Sequence, residues 1–460
     1  MADHTKSFSM RPVAFLVAGL AFMENLDSAI LPTAAPTIAR DLHLLSSQIG
    51  ICITAYIVAV VCFIPVSAWL VEKYGVRPVL FSSILIFVAG SLLCSISSNL
   101  ATLTLMRVMQ GIGASAMVPV GRLIVMQSTA KSEVDRAISY LVWPALTAPV
   151  VAPVIGGFIV SHFSWRWIFL INLPLSVVAI FFARRLVPHI AGGKRDGLDW
   201  WGFVGISISL GSLILGAAEI GAAHADFAKA LALILVGTIV GTPTIRHLLR
   251  ATKPLINLDA LRIHTFRSAT TTGAIFRIGH SFSPFLLPLF FQDGFHWSPS
   301  KAGSALFFYM AGNLGFKPAT TPLINRFRFK VLLVTTTTLS IMAMCGISTL
   351  TDHTPLPLIL ALLLVTGCVR SMGMTLYTTL TFSDLDGESV QHANTLFSIV
   401  LEVVGICGIA IAVISLKVGT SVVGASHEFS AAFGVAAFLM LMSLLGLLRL
   451  PANAGESLRN

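Results

Sequence analysis

Apolar residues in this chain fall into runs of about 20, separated by short polar segments that hold most of the charge. The runs predict helices near 12–36, 47–71, 78–97, 100–123, 137–161, 167–188, 200–221, 228–249, 268–291, 300–322, 330–350, 356–379, 392–418 and 429–449. Each is long enough to cross a hydrocarbon core of about 30 Å, and none alternates with the period of two that a barrel strand needs. Fourteen crossings leave both termini on one side of the membrane. The runs group as six, two and six. The reading is therefore an N-terminal six-helix bundle over 1–190, an inserted helix pair over 191–254 and a C-terminal six-helix bundle over 255–460. The loop Trp69-Leu70-Val71-Glu72-Lys73-Tyr74-Gly75-Val76-Arg77 also has an echo in Pro322-Leu323-Ile324-Asn325-Arg326-Phe327-Arg328-Phe329-Lys330, at the same place in the second six.

Composition points the same way. Hydrophobic residues make up 55% of the 460 and charged residues 11%, too little charge to cover a water-facing surface, so the chief solvent is lipid. The first run follows Lys6 and Arg11 as a signal peptide would, yet it continues through Glu24 and Asp27 to Pro36 without a small-residue cleavage site, and is read as a retained helix. Six cysteines lie inside apolar runs with no metal-ligand spacing, so neither a metal site nor a cofactor is expected. The net charge of +10 is scattered through short loops and forms no nucleic-acid stripe. It sorts by topology instead. With the termini inside, about 20 Lys and Arg fall in cytoplasmic segments against about 5 outside, which predicts a multi-pass bacterial inner-membrane protein with cytoplasmic termini.

Ionisable side chains within the runs need a partner, a wet cavity or a task, because each costs about 2.5–3.5 kcal/mol at the bilayer centre. The first helix carries Glu24 and Asp27, three apart on one face. Asp27 is the first candidate for a carboxylate that loads and unloads a proton, the alternative being a bond to nearby backbone or to Asn25. The fourth helix carries Arg107 in the run Arg107-Val108-Met109-Gln110-Gly111-Ile112-Gly113-Ala114, where Arg107 and Gln110 are read on adjacent faces; a purely structural arginine is equally open. The fifth holds Pro149, Pro153, Gly156 and Gly157, and prolines four apart predict a bent, closely packed helix. In the second half, Arg277, His280, Lys317, Arg370 and Glu402 are assigned to a substrate cavity. An excess of cations there favours an anionic substrate, whereas an Arg370–Glu402 pair would make the cluster structural. No Walker, Gly-x-Ser-x-Gly or metal motif occurs, so neither ATP-driven transport nor an enzyme is expected.

These residues resemble the fourteen-helix drug:proton antiporter branch of the major facilitator superfamily over nearly the whole chain. The likeness is carried by Leu26 to Pro36, Ser67 to Arg77, Arg107 to Ala114, Ala148 to Gly157 and Trp165-Arg166-Trp167-Ile168-Phe169-Leu170-Ile171-Asn172-Leu173-Pro174. Val118 to Arg122 and Gly315-Phe316-Lys317 are similar to a group of bacterial multidrug-resistance proteins. The resemblance implies Asp27 as a coupling acid, Arg107 as its partner, and Glu72 with Arg77 as contacts of an inward gate. Ala68, Glu72, Ala145, Ala148, Ala152 and Pro32 depart from the branch's usual residues. The expectation is a monomeric, proton-coupled antiporter exporting small organic, drug-like molecules by alternating access, its partners being substrate, protons and lipid. The rivals are an exporter of carboxylate metabolites or metal–carboxylate chelates and, of another class, a non-transporting membrane sensor or scaffold.

Overall fold

The computed structural model describes residues 10–44, 46–127, 147–149, 151–152, 154–187, 192–193, 197–221, 226–297, 299–385, 388–424 and 427–449. Among the described residues the chain is helical, with no strand. In hydrocarbon a backbone has no water to bond, so each apolar run closes its own hydrogen bonds. The first helices are α1 (Met10–Asp41), α2 (Ser46–Tyr74), α3 (Val76–Ser95) and α4 (Leu100–Gln127). The described residues of 147–162 form α5, followed by α6 (Trp167–Leu170), α7 (Asn172–Leu186), α8 (Trp200–Gly221) and α9 (Phe227–Arg250). Then come α10 (His264–Leu289), α11 (Pro299–Gly315), α12 (Lys317–Arg326), α13 (Phe329–Ser348), α14 (Leu356–Phe382), α15 (Glu388–Val423) and α16 (Glu428–Leu448).

Twelve helical stretches among the described residues are long and apolar enough to cross a membrane, against the fourteen expected. Of the other two expected crossings, one is α5, described only in part. The other, expected as a single helix over 300–322, is broken at Phe316 into α11 and α12. Pro318 explains the break: it has no N–H for the carbonyl of Leu314, and its ring crowds that carbonyl. Pro174 does the same to Leu170, and the helix expected over 167–188 is interrupted at Ile171 between α6 and α7.

The chain forms two compact units. Unit 1 comprises Met1–Leu215, Val236–Asn257 and Asn394–Ser398; unit 2 comprises Gly216–Leu235, Leu258–Ala393 and Ile399–Asn460. Within unit 1, α4 packs on both α2 and α3. The run 107–114 allows this approach, since a Cβ at Gly111 would lie 2.6 Å from the Tyr56 carbonyl oxygen. Gly75, at φ 88°, turns the chain from α2 into α3 in a conformation that a side chain would disfavour. Leu26, Ile30 and Ile38 of α1 form a core with Leu103, Trp165 and Phe169. Its end is closed by Asp41, which accepts from Trp165 Nε1 at 2.8 Å and Arg166 Nη1 at 3.0 Å. Within unit 2, α11 packs on α14, α13 on α16 and α10 on α16, around Phe282, Leu286, Phe291 and Phe433. Large apolar side chains such as Phe15, Val177 and Trp201 stay exposed, an arrangement that hydrocarbon accepts and water would not.

Candidate functional site

Unit 1 buries a polar network around Asp27. The α1 stripe that turns Leu26 and Ile30 into the core carries Asp27 inward with them, and the residue is only 2% exposed. Asp27 Oδ2 accepts from Arg107 Nη1 of α4 at 2.6 Å. Its Oδ1 accepts from Gln110 Nε2 at 2.8 Å and from Asn172 Nδ2 of α7 at 2.7 Å. Arg107 Nη1 also donates to Gln110 Oε1 at 2.6 Å, so the two side chains read as lying on adjacent faces converge on one acid, as residues three apart on a helix can. Ser91 Oγ of α3 accepts from Gln110 Nε2 at 2.6 Å and from Asn172 Nδ2 at 3.0 Å. The Arg107 guanidinium lies over the Tyr56 ring at 4.2 Å and near Phe169 at 5.9 Å.

The arrangement balances one buried negative charge with one buried positive charge, and adds two amide donors to the carboxylate. Removing a proton-accepting group of this kind from water is tolerated only with such pairing. Asn25 is not the partner of Asp27; its Nδ2 donates to the Ala21 carbonyl at 2.8 Å. Glu24 is half-buried three residues before Asp27. Sequence reasoning gave no role to Ser91 or Asn172. Asn172 is a polar residue inside an apolar stretch, which is a usable signal; Ser91 is one small hydroxyl among many and carries none.

The residues expected at a gate and in helix packing are dispersed. Arg77 Nη2 donates to the Arg184 carbonyl at the end of α7 at 2.7 Å, while the Glu72 carbonyl accepts from Gly193 N–H at 2.8 Å. Gly156 faces α1, where a Cβ would come within 2.8 Å of Ile30, but Gly157 has open space. Pro149 is exposed, and Pro153 lies outside the described residues.

Unit 2 holds the second-half candidates. His280 is fully buried, with Nε2 3.1 Å from Ser340 Oγ. Since that hydroxyl donates to the Thr336 carbonyl at 3.0 Å, His280 is the donor to Ser340 and its proton sits on Nε2. Lys317 opens α12, and its Nζ donates to Thr375 Oγ1 at 2.6 Å. Arg277 donates to Thr378 Oγ1 at 2.8 Å and faces Met374 Sδ at 3.0 Å. Arg370 lies over the Tyr309 ring at 5.7 Å. Glu402 is half-buried on α15.

A helical membrane protein with a charge network sealed inside one unit and a cation cluster in another is built as a carrier of small molecules. The chain belongs to the major facilitator superfamily, whose profile matches residues 17–218 and 269–460. It is 31% identical over 459 residues to a Haemophilus influenzae protein provisionally named transport protein HsrA, covering 99% of each chain. It is 32% identical over 414 residues to a Pectobacterium atrosepticum protein provisionally named multidrug resistance protein MdtD, covering 90% of this chain and 89% of that one. Among solved structures, the proton:xylose symporter XylE superposes with a TM-score of 0.67 at 11% identity over 98% of each chain. The human organic anion transporter MFSD10 superposes with a TM-score of 0.66 at 13% identity, over 95% of this chain and 99% of that one. At these identities the two structures speak for the fold alone.

Proposed function

We propose that the protein is a proton-coupled antiporter that exports small organic, drug-like molecules across the bacterial inner membrane by alternating access. The observation that carries the reading is the Asp27–Arg107 pair, 2.6 Å apart with each side chain 1% exposed. As an anion, Asp27 holds Arg107, Gln110 and Asn172 together. A proton delivered to Asp27 removes the charge that compensates Arg107, so proton uptake and opening of the network become one event. Such an element has two states whose balance protons and substrate can both bias.

The remaining organisation follows the same reading: fourteen crossings, with bundles over 1–190 and 255–460, an inserted pair over 191–254, both termini cytoplasmic and a monomeric carrier. Glu72 and Arg77 sit at the cytoplasmic end as gate elements, and the residues of α5 provide a packing surface for movement.

Everted vesicles energised with a pH gradient test the reading, challenged with tetraphenylphosphonium, ethidium and organic acids. Wild type is expected to dissipate the gradient on addition of a substrate, and Asp27→Asn to show no response. A wild type that responds to nothing removes proton coupling. A mutant that responds like wild type removes Asp27 from it.

A further inference from the structure

Unit 1 has a hollow that the Asp27 network does not use. Helices α1 and α7 pack together, and between them lies a cavity of 440 Å³ that opens to the surroundings. Phe15 of α1 and Phe182 of α7 stand at its rims, 59% and 45% exposed, whereas Ala18 and Ala179 beside them are buried. Gly19 keeps the hollow clear, since a Cβ there would meet nothing within 4 Å. The volume is that of a cavity able to take a ligand. Every lining residue is apolar, so the walls offer hydrocarbon contact and no side-chain hydrogen bond. The lining runs from Pro12 to Met23 on α1 and from Leu186 back to Leu175 on α7, eleven residue steps on each. At about 1.5 Å per step that is about 16 Å, close to one leaflet of a hydrocarbon core about 30 Å thick.

Positive charge gathers at one end. Helix α7 finishes with Arg184 and Arg185, both exposed, the second lying over the Phe181 ring at 4.3 Å. Arg77, whose Nη2 donates to the Arg184 carbonyl, adds a third cation, and Arg11 precedes Pro12 in the first turn of α1. Among the described residues no carboxylate pairs with Arg184 or Arg185. The other end, at Met23 and Leu175, has no basic lining residue. Lipid touches any apolar helix face, but this one is recessed, about one leaflet long and crowned by guanidinium groups, which suit a phosphate. A second copy of the chain, inserted the same way up, would bring its own arginines to this end and set cations against cations.

We infer that the α1–α7 hollow binds a glycerophospholipid with a net negative headgroup, one acyl chain lying along Gly19 and Ala179 and the phosphate taken by Arg184 and Arg185. The site stands or falls independently of proton coupling. The test is native mass spectrometry of the full chain in detergent, titrated with palmitoyl-oleoyl phosphatidylglycerol, with phosphatidylcholine of the same chains and with glycerol phosphate. A phosphatidylglycerol carrying a photoreactive group in its acyl chain maps the site by cross-linking. One phosphatidylglycerol is expected to be retained in preference to phosphatidylcholine and to cross-link to peptides holding Phe15 to Met23 and Leu175 to Leu186. Gly19→Trp, which fills the hollow, should weaken retention by about tenfold or more and abolish that cross-link. Arg184→Gln and Arg185→Gln should each weaken it by about fivefold, Arg185→Lys should restore most of the loss, and Asp27→Asn should leave retention unchanged. Arg184→Gln keeps the carbonyl that Arg77 uses, so the arginine variants and the cross-link carry the test if Gly19→Trp fails to fold. Phosphatidylcholine held as tightly as phosphatidylglycerol overturns the inference, as does glycerol phosphate binding without the chains or a cross-link that Gly19→Trp leaves intact. A dimer that Gly19→Trp splits would give the hollow to a second copy and overturn it as well.

Discussion

A buried acid is only as stable as its company, and for Asp27 that company is Arg107, Gln110 and Asn172. Truncating one member of a buried ion pair leaves the other charge uncompensated, so Arg107→Ala should lower stability by about 3–5 kcal/mol, read from the thermal midpoint. Replacing both charges, as in Asp27→Asn with Arg107→Gln, should recover part of that loss. The double-mutant cycle should show a coupling of about 0.5–3 kcal/mol; a value near zero would mean the pair is not energetically joined. Asn172→Leu removes an amide donor from Oδ1 without touching a charge. It should leave the protein folded while altering the pH profile of proton-coupled flux, and an unaltered profile would reduce Asn172 to packing. At this scale the chain was partly legible. Charged residues in apolar runs announce themselves, which is how Asp27 and Arg107 stood out, whereas a serine such as Ser91 is cheap to bury and gives no signal until α3 is seen beside it.

Helices in this protein are interrupted and approached by particular residues. Proline at 318 ends the run of carbonyl–amide bonds in α11 and makes Lys317 the first residue of α12, where a side chain can lie across the end of the preceding helix. The α11–α14 contact depends on missing side chains, and Gly367→Leu should cost about 1–3 kcal/mol through overpacking against Tyr309, read as loss of monodisperse protein. Gly157→Ala, with open space around it, should be silent. Outside the spans, Asp199 precedes α8 and its Oδ1 accepts from Gly202 N–H at 2.9 Å, capping the helix. His247 Nε2 at 2.9 Å and the Leu255 N–H at 3.2 Å join it. Burial pushes the Asp199 carboxyl up, but these donors outweigh burial and hold it below its ordinary value. Its stabilisation is therefore present above the ordinary carboxylate range and is lost as pH falls through the lowered value. Asp199→Ala should cost about 0.5–2 kcal/mol near neutrality and progressively less below about pH 4.

For the whole molecule, orientation is a statement about loops. With the cytoplasmic side assigned by Lys and Arg, a membrane-impermeant maleimide should label Lys301→Cys in intact spheroplasts, in a background lacking the native cysteines, and Arg326→Cys only after permeabilisation. The opposite pattern would invert the topology.

The linear sequence determined the membrane class and the approximate positions of twelve spans, because transfer into hydrocarbon is scored run by run and needs no knowledge of neighbours, and its motifs carried the family. It also showed where charges had to be accommodated. Only the tertiary structure decided with whom: that Asp27 meets Gln110 and Asn172 as well as Arg107, that the expected tenth span breaks at Phe316, and that Tyr309 and Asn313 line up with Lys317 against Arg370. Hydrogen-bond partners come from helices far apart in sequence, and their choice depends on packing distances of a few ångströms that no hydropathy pattern encodes.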